Sequence, residues 1–281
     1  MMVKDPDLGK MVGSSSPKPF GLRQGQPTEV KGEISGYQEA LIHPVREPGE
    51  ESVSPTAIQT FSLLDYRDFC RLADFKGKPR RIWGCPCRPV IWGDTPLTLI
   101  APALGAPYAA MVLEKLIILG ARRVLVLGWC GSLAPQVRLG HLVLPTGAYP
   151  GDGTSPHYLK SRSLVAPHSG LHELLAARLR GIATPWHQGP VWSTDAYYRE
   201  TPELVRTCRE RGFLALEMEL AALFAVARFR RIAVAGLLVV SDELSSPTRK
   251  PAPGMNAFRR AREVAQRLVL ETAVQGEAED V

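Results

Sequence analysis

Three carboxylates, Glu217, Glu219 and Asp242, are the residues whose types and spacing best suit chemistry. The stretch beginning at Leu216 predicts a helix over 219–230 with both glutamates at its mouth, where unpaired N–H groups and the helix dipole favour anions. Asp242 closes the apolar run 232–241, which predicts a buried strand, and ligands of open α/β sheets gather at such strand ends. Carboxylates placed there suit a substrate that offers sugar hydroxyls and needs a proton nearby. Taken one at a time, each has a plainer reading: Glu219 as an early-turn helix acid, Asp242 as a loop cap.

The surrounding elements must hold these acids in place. Leu97–Ala101 reads as a short buried strand. The turn Ala103-Leu104-Gly105-Ala106 leads to Pro107, a favoured opening residue for a helix that runs to Leu119 and stops at Gly120. Val124–Leu127 and His141–Pro145 read as further strands, the first ending in Gly128. Helices are expected near 169–180, from Thr201-Pro202 to Gly212, and from about Asn256; IQTFSLLDYRDFCRLADF reads as strand then helix. Strand-length apolar runs alternating with longer helices indicate an α/β fold around a mostly parallel sheet. Residues 1–36, rich in Gly, Ser, Pro, Lys and Gln, read as a mobile tail, residues 37–275 as one domain, and 276–281 as a C-terminal tail.

The 281 residues are 45% hydrophobic and 22% charged, an ordinary globular composition. A formal charge of +6 favours anionic ligands only weakly, and 7% aromatics give no basis for a nucleic-acid partner. The arginines at 259, 260, 262 and 267 read as the solvated face of a helix. Five irregularly spaced cysteines do not make a disulfide framework, so a cytoplasmic setting is expected, and no stretch has the length of a membrane span. Cys85-Pro86-Cys87 is too tightly spaced for a zinc site, and His168 with His172 lacks the glutamate of a metalloprotease helix, so no metal is expected.

Five motifs occur in order: GARRVLVLGWCGSL, LGHLVLPTGAYPGDGTSPHY, STDAYY, LEMELAALFAVAR and VVSDEL. Together they resemble the nucleoside phosphorylase family of the purine nucleoside and uridine phosphorylase type, which includes related nucleosidases. The resemblance implies a three-layer α/β/α domain, a mostly parallel or mixed sheet, and homodimers or trimers of dimers. It implies a small nucleoside as substrate, with phosphate as co-substrate and no cofactor. Glu219 resembles the carboxylate that binds the ribose hydroxyls, and Met218 the residue lying against the sugar. Asp242 resembles the acid that assists the leaving base, which leans towards a purine. Tyr197, Cys130, Gly131 and Glu217 fall where the family touches the base. His43 falls where a neighbouring subunit offers a histidine to the sugar.

The sequence departs from the family at the anion. Val126 stands where an arginine is expected two residues before the strand-end glycine, and Trp129 where a Thr or Ser follows it. Phe61-Ser62-Leu63-Leu64 replaces a Gly-Asp-Pro loop. Trp129 is large enough to fill the space of a phosphate. Three outcomes stay open: Arg67, Arg88 and backbone amides rebuild the anion site; water replaces phosphate; or the fold binds nucleosides without turnover.

Overall fold

The structure is a computed structural model that describes residues 40–159, 163–244 and 256–275. The two expected tails, 1–36 and 276–281, lie outside the described residues. By its contacts the chain divides after His43, and the unit from Pro44 onward carries every element discussed below. In chain order these are β1 (Thr56–Thr60), α1 (Leu63–Leu72), β2 (Asp74–Phe75), β3 (Arg80–Ile82), β4 (Cys85–Trp92), β5 (Thr95–Ile100), α2 (Ala106–Leu119), β6 (Arg123–Ser132), β7 (Leu142–Gly151), α3 (Ser169–Leu179), β8 (Trp186–Thr194), α4 (Pro202–Glu210), β9 (Ala215–Glu217), α5 (Leu220–Arg230), β10 (Ala233–Glu243) and α6 (Asn256–Ala273).

The strands form one mixed sheet. β5, β1, β6 and β10 run parallel through its centre, while β4 joins β5 antiparallel at one side. β6 also pairs with β9, and β9, β8, β7 and β10 follow in turn, so five strands close on themselves. Strict alternation divides the apolar side chains between two layers. Val124 and Val126 of β6 face a cluster with Leu113 and Leu116 of α2 and Leu223 and Phe224 of α5. Leu125 and Leu127 face the opposite cluster, with Phe69 of α1, Leu175 of α3 and Phe258 of α6. The result is helix, sheet and helix in three layers.

Local sequence explains the best-defined ends. α2 opens with Pro107 in its first turn, and Gly120 ends it at φ 120°, returning its N–H to Ile117 and Leu116. α4 begins on Thr201, whose side chain accepts from the Leu204 N–H. One expectation needs correction. β6 continues four residues past Gly128 because Gly131 and Ser132 find partners in β9, Leu216 and Ala215. The sheet is mixed, since β2, β3 and β4 add antiparallel pairings in the stretch before Thr95.

Candidate active site

The carboxyl ends of β1, β6 and β10 and the turns after β8 and β9 surround a cavity of about 750 Å³. Among the sequence-derived candidates, Cys130, Gly131, Tyr197, Glu217, Met218, Glu219 and Asp242 all line it.

Glu217 and Glu219 sit at the start of α5 but are held differently. Glu217 ends β9, fully buried; one carboxylate oxygen accepts from the backbone N–H groups of Glu219 and Leu220, both at 2.7 Å, and the other from the Ser193 hydroxyl. Glu219 occupies the N-cap position, yet its side chain does not cap. It reaches instead to the N–H of Gly105 at 2.8 Å, just before α2, and to that of Met218 at 3.3 Å. Gly105 presents that N–H from φ 87°, a backbone region that favours glycine. Burial raises the Glu217 carboxyl to about 7. Burial, then the charge of Glu217, raises Glu219 to about 8.

Asp242 approaches from the other side. A bulge between Val240 and Asp242 shifts the β10 register so that Asp242 pairs with Gly131. A Cβ at Gly131 would lie 2.7 Å from the Leu244 side chain, which would have to move, and 3.5 Å from an Asp242 carboxylate oxygen. Ser241 donates its hydroxyl to Asp242 at 2.8 Å. Burial first, then Asp242 and Glu217, push the Cys130 thiol well above its ordinary value, which leaves it neutral and a poor nucleophile. Tyr197, 40% exposed, stands at the rim in contact with Tyr198. The loop after β7 steadies that rim, because the Gly153 N–H donates to Asp195 at 2.7 Å.

The remaining candidates fall elsewhere. Arg67 and Arg88 are not among the described residues that line the cavity. Arg67 is exposed on α1, and Arg88 lays its guanidinium over Phe75, 4.9 Å from the ring centre, on the far strand β4. His43 is exposed and lies in the segment before the division of the chain.

The largest departure from expectation concerns Arg262, read above as part of a solvated face. It is 4% exposed, and its guanidinium binds Asp65 at 2.7 and 2.8 Å and Asp68 at 2.7 Å. Asp65 also accepts from Gln266 at 2.8 Å and from the Trp129 indole N–H at 2.6 Å. Trp129 therefore borders the cavity with its only donor already spent on α1. Asp65 carried no signal in sequence, since its partners lie on β6 and α6, from 64 to 201 residues away. Ser193 and Gly105 were missed as well, although STDAYY and the turn before Pro107 had marked both neighbourhoods.

Residues 57–274 match the family model described as the phosphorylase superfamily. The chain belongs to the phosphorylase superfamily. Among curated relatives of this superfamily, it is similar to a guanosine phosphorylase of Halorubrum lacusprofundi, 33% identical over 57% of this chain and 67% of that one. It is also similar to a purine nucleoside phosphorylase of Myxococcus xanthus, 29% identical over 53% of this chain and 63% of that one. A uridine phosphorylase of Treponema pallidum is 27% identical over 63% of this chain and 75% of its own length. Among solved structures, the superfamily fold matches purine nucleoside phosphorylase from Toxoplasma gondii in complex with immucillin-H, with a TM-score of 0.72 at 18% identity, covering 79% of this chain and 91% of that one.

Proposed function

We propose that this protein cleaves the N-glycosidic bond of a nucleoside. The observation that carries the reading is the convergence of Glu219 and Asp242, from different elements, on one cavity at the sheet's carboxyl end. Glu219 is buried and accepts from the backbone N–H groups of Gly105 and Met218, one on each carboxylate oxygen, so it retains acceptor capacity for the ribose hydroxyls. Once ionised, it stabilises the positive charge that grows on the sugar as the bond breaks. Met218 packs beside the sugar, Asp242 serves the departing base, and Tyr197 lies against its face.

The relatives' names support phosphate as the attacking group, giving free base and ribose 1-phosphate. A second reading, attack by water, has its own observation. Five carboxylates, Asp195, Glu200, Glu217, Glu219 and Asp242, line the cavity among the described residues, against one cation, Arg199. Such a lining offers a phosphate dianion few cationic partners, and the Trp129 N–H is already bonded to Asp65.

A panel of purine and pyrimidine nucleosides, assayed with and without inorganic phosphate, separates these readings. Cleavage only with phosphate, with ribose 1-phosphate as product, supports the first; free ribose formed without phosphate supports the second. Saturable nucleoside binding with no cleavage under either condition would sink the enzymatic account.

A further inference from the structure

We propose that Ser193 is a positioning residue for Glu219: it commits Glu217 to capping α5 and so leaves the Glu219 carboxylate turned towards Gly105 and the cavity. The inference rests on the reading of that cavity as a nucleoside site.

Two carboxylates compete here for one helix pole. Either could accept from the first N–H groups of α5, where anions are favoured. Ser193 decides between them. It lies on β8 directly beside Glu217 in the β8–β9 ladder, so the two side chains share a face. Its hydroxyl donates to Glu217 and its oxygen accepts from the Ala221 N–H at 2.9 Å. With Glu217 taking the N–H groups of Glu219 and Leu220, three successive donors at the helix start are satisfied without Glu219.

Ser193 also acts on charge. A hydrogen bond given to a carboxylate favours its ionised form, and ionised Glu217 raises its neighbour Glu219. The titratable groups around this pair are Asp152 on the loop after β7, Cys130 on β6 and Asp242 on β10. Without the hydroxyl, Glu217 stays protonated to higher pH, Glu219 ionises at lower pH, and the N–H of Ala221 loses its acceptor.

Two readouts on Ser193→Ala and Ser193→Thr test this. The first is carboxyl titration by carbon-13 NMR on the full chain, which needs no substrate. Ser193→Ala is expected to move Glu217 to higher pH and Glu219 to lower pH, while Ser193→Thr, which keeps the hydroxyl, stays near wild type. The second is kcat/KM. Ser193→Ala is expected to lose about 10- to 100-fold on a ribonucleoside, as for a misplaced contact, and much less on the matching 2′,3′-dideoxynucleoside, which offers Glu219 nothing to bind.

Unchanged titrations in Ser193→Ala, or equal losses on both substrates, overturn the inference. If the wild-type protein cleaves no nucleoside, the functional reading fails and the titration alone decides the role of Ser193. Should Ser193→Ala not fold, Glu217→Gln retains the cap's shape without its charge. It is expected to lower the Glu219 titration, and an unchanged one overturns the coupling.

Discussion

Two buried acids in this protein, Asp65 and Glu219, are stabilised in opposite ways. Asp65 has a cation: Arg262 binds it, and Gln266 and Trp129 fill its other acceptor positions. Burial raises its carboxyl, and Arg262, Gln266 and Trp129 oppose that rise. Glu219 is held instead by two backbone N–H groups beside another carboxylate, and rises to about 8. A carboxylate bound by one cation and two neutral donors joins α1, α6 and β6. One held loosely in a cavity keeps acceptor positions and a proton that a substrate can redirect. The contrast separates structure from chemistry where sequence shows only two acids.

The strongest way to break the comparison is Glu219→Ala. Losing the acceptor that faces the growing sugar charge is expected to lower kcat/KM by about 1000-fold while the circular dichroism spectrum stays that of wild type. Near-normal turnover would return Glu219 to the role of an ordinary helix-start acid. Arg262→Met tests the other member. Leaving Asp65 buried without its cation is expected to remove about 3 kcal/mol from the unfolding free energy, measured in urea at constant pH. A loss within the error of that measurement would mean the cluster is not the tie described.

The smallest effect sharpens the contrast through pH. In the folded chain Glu217 and Glu219 titrate at about 7 and about 8, above the ordinary 4.5. Between those values the folded state binds more protons than the unfolded one, so their contribution falls as pH rises from about 4.5 to about 8. Thermal unfolding followed across that range should show a shallower decline for Glu219→Gln than for wild type. Equal slopes would place the proton elsewhere.

What could be read from sequence was what local chemistry decides. Pro107 and Gly120 bound α2, and Thr201-Pro202 opens α4, because caps act within a turn of the chain. The acids at 217, 219 and 242 were legible for the same reason: they stand at element ends. β8 escaped notice because Gly189 and Pro190 interrupt its apolar pattern, and it exists through pairing with β7 and β9. Arg262 looked like its neighbours 259, 260 and 267 until α1 supplied Asp65 and Asp68. Arg67 and Arg88 were suggested by lying near positions where the family places phosphate arginines, and nearness in sequence says nothing of which side of a strand or helix meets a distant cavity.

The slip in the β10 ladder after Val240 has a wider consequence. Up to that point each residue's facing is dictated by the packed interior, and changing one would upset its neighbours. One extra residue resets the phase, so the facing of Asp242 and Glu243 is set independently of the interior ladder. Evolution could thus exchange the acid at 242 or its neighbour without disturbing the interior ladder, whereas deleting Ser241 would swing Asp242 and Glu243 to the opposite side.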